Sequence, residues 1–206
     1  MVSRPTGMSA TTKPDSHLRG GEVAAIARTL AGAFQDDPVF SWCLPDPMRR
    51  AGILPGFFGV LTAAVHPLGE VHTTADGTAA ALWVPPGRVA VADDDAPAFQ
   101  AALAEILGDD ADRTFAVSAM LDEVHPTDEH RFLWFLGVSP EHQRRGRGSS
   151  LLASMLARCD REGSAAYLDA TSPHNRRLYE RHGFEVVAER AVDDSPPLWS
   201  MWRQPR

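Results

Sequence analysis

Cysteine is scarce in this chain of 206 residues: Cys43 and Cys159 are too few for a disulfide framework. Cys159 falls on the apolar face of a helical pattern, so a reduced, cytoplasmic setting is expected. Long hydrophobic runs are also missing. Pro55, Pro67 and scattered charges interrupt every candidate membrane span, and no membrane partner is expected. Positive charge is in short supply, with 20 Lys and Arg against 27 Asp and Glu, a net charge of −7. That balance argues against nucleic acid, which calls for a basic surface, and suits a cationic substrate better. The eight histidines show no metal spacing such as H-E-x-x-H. Asp93-Asp94-Asp95 lacks a spaced ligand set and reads as a solvated loop, so no metal is expected. The polar start, residues 1–17, has no signal-peptide core and reads as a disordered tail. Residues 18–206 then form one domain, whose 44% apolar and 23% charged composition is that of an ordinary globular protein.

Hydrophobic periodicity places the elements. Val23, Ile26, Leu30 and Phe34 make an amphipathic helix over 22–34, stopped by Asp37-Pro38, and a short helix follows over 39–44. Residues 46–65 read as helical, with Pro55 expected to kink or divide the segment. Runs at 70–74 and 78–84 bracket Ala75-Asp76-Gly77, a hairpin signal. An acidic, Pro-containing loop over 91–98 leads to helices at 99–107 and 112–124. An apolar strand follows at 132–138, then a helix whose Leu151, Leu152, Met155, Leu156 and Cys159 share one face. A strand at 165–170, a helix at 175–182 ended by Gly183, and strands at 184–188 and 198–202 complete the chain. This alternation is the pattern of an α/β fold, a mixed sheet with helices on both faces.

One segment narrows the function most. Between the strand ending Leu136-Gly137-Val138 and the following helix lies Gln143-Arg144-Arg145-Gly146-Arg147-Gly148-Ser149. Two glycines let the backbone approach a ligand, and the free amides of a first helical turn favour an anion. A phosphate or pyrophosphate is the natural guest. The P-loop spacing fails because no Lys follows Gly148, and the dinucleotide fingerprint fails because its third Gly falls at Leu151. What remains is Q-x-x-G-x-G. A basic, Gly-rich surface turn is the alternative reading.

That hexapeptide, in its strand and helix context, resembles the acetyl-CoA loop of the GCN5-related N-acetyltransferases (GNAT). The likeness continues through Tyr167-Leu168-Asp169-Ala170-Thr171-Ser172-Pro173-His174-Asn175 and Tyr179-Glu180-Arg181-His182-Gly183-Phe184. It is nearest to the puromycin N-acetyltransferase-like branch, through the strand 130–138, the short Asn175-to-Tyr179 helix and the ending Pro196-Pro197-Leu198-Trp199. It covers roughly residues 129–203 and thins before them, to Ala33-Phe34 and Asp37-Pro38. Many members of the wider superfamily set the Asn and Tyr two helical turns apart. Here they stand one turn apart, a spacing the near branch shares. The resemblance implies a GNAT-like, mostly antiparallel mixed sheet and acetyl transfer from acetyl-CoA to an amine.

The same resemblance implies roles. Amides of Arg144, Arg145, Gly146, Arg147, Gly148 and Ser149 hold the pyrophosphate, and the backbone of Leu136, Gly137 and Val138 pairs with the pantetheine arm where the strands splay. Asn175 adds a side-chain contact, and Tyr179 protonates the departing thiolate. A core Tyr packed on Phe184 is the alternative for Tyr179. The amine must be neutral to attack, and an alkyl amine of pKa about 10.4 pays about 4.6 kcal/mol for this at pH 7. His130 is the first candidate base, with Glu123 and His125 behind it and Glu70 and His72 as rivals; a strand-start surface residue is its alternative reading. Phe34, Asp37, Phe40 and Trp42 are candidates to line the acceptor pocket, or to pack the core. Trp134 and Trp199 read as sheet-packing aromatics. The expected acceptor is a small-molecule amine, with an aminonucleoside among the options. Acetylation of a protein amine, a non-catalytic acyl-CoA-binding module and a nucleic-acid binder using the Arg cluster are the other readings. A homodimer is an option because the family often forms one.

Overall fold

The structure, a computed structural model, describes residues 20–68 and 70–206; the tail expected over residues 1–17 lies outside them. Helix α1 (Gly20–Phe34) buries Ile26, Ala27, Leu30 and Phe34. Asp37 then opens α2 (Pro38–Cys43), its Oδ1 accepting from the Val39 and Phe40 amides at 2.9 and 3.2 Å. Pro38 at the first helical position gives up an amide that has no acceptor there anyway. Asp46 does the same for α3 (Pro47–Val65) through the amides of Met48 and Arg49.

Of the two outcomes open at Pro55, a kink or a division, the division does not occur, and α3 runs through it. One missing N–H costs less than exposing Leu54, Phe57, Phe58 and Leu61, all buried. By length and composition alone, the stretch Pro47–Leu68 is apolar enough to cross a membrane, contrary to the reading in which Pro55 and Pro67 interrupt it. In this fold its apolar side packs on α1.

The hairpin of β1 (Val71–Thr73) and β2 (Ala79–Val84) turns at Gly77, whose φ of 66° suits glycine and whose N–H donates to Thr74 O at 2.8 Å. Helix α4 (Ala96–Leu107) begins three residues ahead of expectation, because the acidic, Pro-containing segment supplies a helix start. Then come α5 (Ala111–Val124), β3 (His130–Val138), α6 (Arg147–Glu162), β4 (Ala165–Ala170), α7 (Pro173–Arg181), β5 (Glu185–Arg190) and β6 (Leu198–Arg203). Ser172 caps α7 by accepting from the Asn175 amide at 3.2 Å, so this helix starts before Asn175. The six strands lie in the order β1-β2-β3-β4-β6-β5, parallel only between β3 and β4. This is the mixed, mostly antiparallel sheet of the GNAT fold.

Period-two alternation divides the core into two layers. Ala80, Leu82 and Val84 face helices α1 to α5, while Ala79, Ala81 and Trp83 face α6. One irregularity matters. Leu82 pairs with Phe135 but Trp83 pairs with Leu133, so Trp134 is an extra residue, a β-bulge. Pairing of β3 with β4 covers only His130–Leu133. The two strands part where the bulge falls, and beyond it the faces swap: Phe132, Trp134 and Phe135 all pack toward α1–α5, Leu136 and Val138 toward α6. Gly137 lets α1 come down on this segment, since a Cβ there would stand 2.8 Å from Ala33 Cβ and 2.9 Å from Leu30 Cδ2.

On the α6 side, buried Arg131 donates to Glu70 Oε1 at 2.8 Å and to Glu162 Oε2 at 3.0 Å, and Arg158 joins both carboxylates. Burial pushes the Glu70 carboxyl up, but His72, Arg131 and Arg158 outweigh it and hold it below its ordinary 4.5. A carboxyl lowered on folding stabilises above its unfolded pKa, and that contribution is lost as pH falls through the folded value. Glu70→Gln should therefore cost about 3–5 kcal/mol at pH 7, for a buried pair broken on one side. The gap to wild type should close below about pH 4, in urea titrations at several pH values. Gly137→Ala should lower the urea midpoint by the equivalent of about 1–3 kcal/mol through the clash with α1.

Candidate active site

After β3 the chain makes one 3-10 turn, Pro140–His142, and then bends through two left-handed residues, Arg144 at φ 56° and Gly146 at φ 79°. The hydrogen-bond ladder of α6 opens with the Ser150 amide donating to Gly146 O at 2.9 Å. Amides of Arg147, Gly148 and Ser149 precede that ladder and have no acceptor within the helix. They lie at the positive end of its dipole, a site for an anion. The two glycines work differently from each other. Gly146 is required by its φ, for a Cβ there would meet nothing within 4 Å. Gly148 is favoured by packing, since a Cβ would stand 3.3 Å from Val138 Cγ2 and that methyl would have to give way. It seats the helix start against the strand end.

Four contacts hold this loop. The Gln143 side-chain amide donates to Val138 O at 3.2 Å. Ser149 Oγ lies 2.6 Å from His182 Nε2 at the end of α7. His142 Nδ1 lies 3.0 Å from Ser139 Oγ. Arg147 pairs with Asp76 at the tip of the β1–β2 hairpin; Thr78 and Thr74 first, and Arg147 after them, keep the Asp76 carboxyl well below the carboxylate range. Arg144 and Arg145 are exposed.

The edge of β3 from Trp134 to Val138 runs into this loop, and there β4 no longer pairs with it. Leu136, Gly137 and Val138 therefore stand beside the opening. From the other side, Asn175 Nδ2 donates to Thr171 Oγ1 at 3.4 Å, and the Thr171 hydroxyl donates to Asp37 Oδ2. Tyr179, one turn beyond Asn175, is buried with its ring 6.0 Å from that of Phe184 in an edge contact. Burial first, and the Asp37 carboxylate second, push its phenol above the ordinary 10.

A cavity of about 750 Å3 opens on the α1–α5 face of the sheet. Phe40, Phe57, Leu103, Phe115, Phe132 and Trp134 supply apolar walls, and Asp169, Thr171, His125 and His130 supply polar ones. Cys43 lines it too, its thiol pushed up to about 11 chiefly by burial. His130 stands at the start of β3, about 13 Å of strand from Trp134. Its Nδ1 lies 2.7 Å from Asp128 O, which can only accept, so that nitrogen carries the proton. In the neutral ring Nε2 is left as acceptor, 3.2 Å from His125 Nε2. Burial, and then His130, lower His125 to about 4.

The other candidates separate. Glu70 is consumed by Arg131 and Arg158, with His72 3.5 Å away, on the opposite face of the sheet. Glu123 is exposed on α5. Phe34 packs on Phe40, Phe58 and Phe135. Trp42 donates its indole N–H to Asp194 and lies under Arg113. Asp37 caps α2 and reaches Thr171. Asp169 received no role from the sequence. Its Oδ1 accepts from Tyr167 OH at 2.9 Å and Ser200 Oγ at 2.7 Å, while burial pushes the carboxyl up to about 6. A signal was available: it is the one charged residue in the strand Ala165–Ala170.

Comparison with known proteins fits this geometry. The model of the Acetyltransferase (GNAT) family matches residues 81–184, half of the chain. An uncharacterized N-acetyltransferase of Schizosaccharomyces pombe is 27% identical over 197 residues, 87% of this chain and 78% of that one. A structure from Corynebacterium glutamicum, described as histone acetyltransferase HPA2 and related acetyltransferase, superposes with a TM-score of 0.69 at 27% identity, over 97% of this chain and 98% of that one. The polyamine N-acetyltransferase of Drosophila melanogaster, which forms N-acetylagmatine, shares the fold at a TM-score of 0.57 and 16% identity, over 91% and 97% of the two chains. The family match spans the bulged strand, the loop and the helix bearing Tyr179, and the chain belongs to the GNAT acetyltransferases, N-acetyltransferases whose co-substrate is acetyl-CoA.

Proposed function

We propose that this N-acetyltransferase acetylates the amine of a small molecule held in the cavity on the α1–α5 face. The observation that carries this reading is the continuity of that cavity with the opening between β3 and β4: Trp134, Asp169 and Thr171 belong to both. A cavity with walls from several elements suits a compact acceptor better than a protein tail. The finer likeness to the puromycin N-acetyltransferase branch rests on the sequence pattern and makes an aminonucleoside a sensible probe. The Drosophila relative, which forms N-acetylagmatine, makes polyamines and agmatine others.

In this reading the amides from Arg144 to Ser149 take the pyrophosphate of acetyl-CoA, and the β3 edge at Leu136–Val138 pairs with the pantetheine arm as an added strand. Asn175 contributes a polar contact at the same opening. Val138 O is held by Gln143, so that side chain must keep or yield its bond as the arm docks. Attack by the amine forms the N–C bond and breaks the C–S bond, leaving charge on sulfur. Tyr179 donates to it. A phenol above 10 transfers its proton to a thiolate of pKa about 8.5 only uphill, so its contribution is a hydrogen bond that strengthens as charge grows. On the cavity wall, His130, Asp122 and Asp169 are among the groups able to take the proton of the amine.

Two measurements test the reading. Calorimetric titration should give one saturable site for acetyl-CoA, weakened about tenfold or more in Gly146→Trp, which forces a side chain into a left-handed position over the amides. Absence of binding at millimolar acetyl-CoA by the folded chain would overturn the assignment. Tyr179→Phe should lower kcat about 100-fold with acetyl-CoA affinity unchanged, in an assay of CoA release over an amine panel that includes puromycin, phenethylamine, spermidine and agmatine. Equal turnover in the variant would remove Tyr179 from the reaction.

A further inference from the structure

Resting on the acceptor cavity proposed above, we infer that Asp169 is the base of the reaction, and that it receives the proton of a primary ammonium whose apolar body lies along the aromatic wall. Four features of the geometry support this. Asp169 lies in the part of β4 that β3 has left: pairing ends at Leu133 with Leu168, and Asp169 is the next residue. Alternation sets Tyr167, Asp169 and Thr171 on one face, where Asp169 and Thr171 line the cavity, while Leu168 and Ala170 face α6. The carboxylate is held still, because Tyr167 from its own strand and Ser200 from β6, opposite it in register, both donate to Oδ1. Both bonds fall on that one oxygen, and Oδ2 takes neither.

The alternatives on the same wall are weaker. His130 sits at the far end of β3, with one nitrogen on Asp128 O and the other against His125. Asp122, at the exit of α5, lines the cavity from an exposed position, although burial raises its carboxyl too. Asp37 is spent on capping α2 and on Thr171. Phe132, Trp134, Phe115 and Leu198 are among the walls of the same cavity, surfaces that favour an apolar body and make an unpaired ammonium costly. An ammonium there is stabilised by a carboxylate, and Asp169 is one that two hydroxyl donors hold in place.

The balance is simple. The ammonium gives one proton to Asp169 Oδ2, and the freed lone pair forms the bond to the thioester carbonyl carbon. The C–S bond breaks with its electrons on sulfur. The second N–H proton passes to that sulfur, with Tyr179 as its hydrogen-bond donor, and CoA leaves as the thiol. Asp169 returns its proton to solvent at the cavity mouth. Net, ammonium and acetyl-CoA become amide, CoA thiol and one proton.

Burial raises this carboxyl to about 6, Ser200 and Tyr167 pulling it down and Asp122 pushing it up, so it is a base at pH 7 and weakens below pH 6. The groups that face it are Tyr167 on β4, Ser200 on β6, Asp122 and His125 at the end of α5, His130 on β3, and Asp37 through Thr171. Of these, His125 at about 4 titrates too low to set a limb near 6.

The test compares two acceptors of similar body on the full chain with saturating acetyl-CoA: phenethylamine, an ammonium at pH 7, and phenylacetic hydrazide, neutral there. CoA release is followed from pH 5 to 8 in wild type, Asp169→Asn and His130→Gln. Asparagine can still accept from Tyr167 and Ser200, and unchanged melting and acetyl-CoA affinity verify the fold. Expected are an acid limb near pH 6 for phenethylamine, its disappearance in Asp169→Asn, and a fall of about 100-fold or more with that amine against less than about fivefold with the hydrazide. Equal losses on both acceptors overturn the base role, as does a limb that vanishes in His130→Gln and persists in Asp169→Asn. A chain that binds acetyl-CoA but turns over neither probe overturns the acceptor class alone. Failure to bind acetyl-CoA sinks the acetyl-transfer reading beneath it.

Discussion

A parallel strand pair can stay in register only while both strands advance at the same rate, and the extra residue at Trp134 ends that for β3 and β4. Ladder bonds given up beyond Leu133 are each worth about 0.5–1.5 kcal/mol net. Aromatic packing helps to offset the loss, with Phe135 at 5.5 Å from Phe34 and 5.1 Å from Phe58. Close contact of α1 over Gly137 does so as well. From this one irregularity come an open strand edge, a gap at the end of β4, and a change of face that turns Val138 toward α6. That turn is what allows Gly148 to seat the helix start against the strand. Loop, edge and cavity thus share one cause.

The two faces of the sheet hold their charges differently. Arg131 points to α6 and is locked among Glu70, Glu162 and Arg158. Its neighbours His130 and Phe132 point to the cavity. Charges on the first face are paired and fix β1, β3 and α6 together. On the second face, Asp169 keeps a carboxylate among aromatic walls and hydroxyl donors. A period of two residues separates groups that would otherwise neutralise one another.

Most of the architecture was legible because its signals are local. Gly77, Asp37-Pro38 and Gly146 each mark a turn or a helix start through their own backbone preferences, and the strand at 165–170 and helix at 150–162 follow from periodicity. Pro55 does not divide its helix, because tertiary packing on α1 outweighs one hydrogen bond. The acidic segment before Phe99 misled, since Pro97 begins a helix instead of prolonging a loop. Candidate site residues divide by the same logic. The loop from Gln143 to Ser149 is contiguous and could be read directly, and Asn175 and Tyr179 share a short helix. Asp169 could not be given a role from its own segment, because its significance depends on where β3 stops pairing and on Ser200 from a strand about thirty residues away. Likewise, Glu70 stood as a rival to His130 until Arg131 and Arg158 were seen to claim it.

Cys43 lines the cavity with a thiol pushed up to about 11. Every turnover of a CoA-dependent acetyl transfer liberates another thiol close by. Disulfide exchange proceeds through thiolates, and burial keeps both Cys43 and Cys159 in the protonated form. On the acceptor wall the nucleophilic form of Cys43 is thus scarcer than that of an exposed cysteine, and exchange with the thiol of CoA is slowed to that extent.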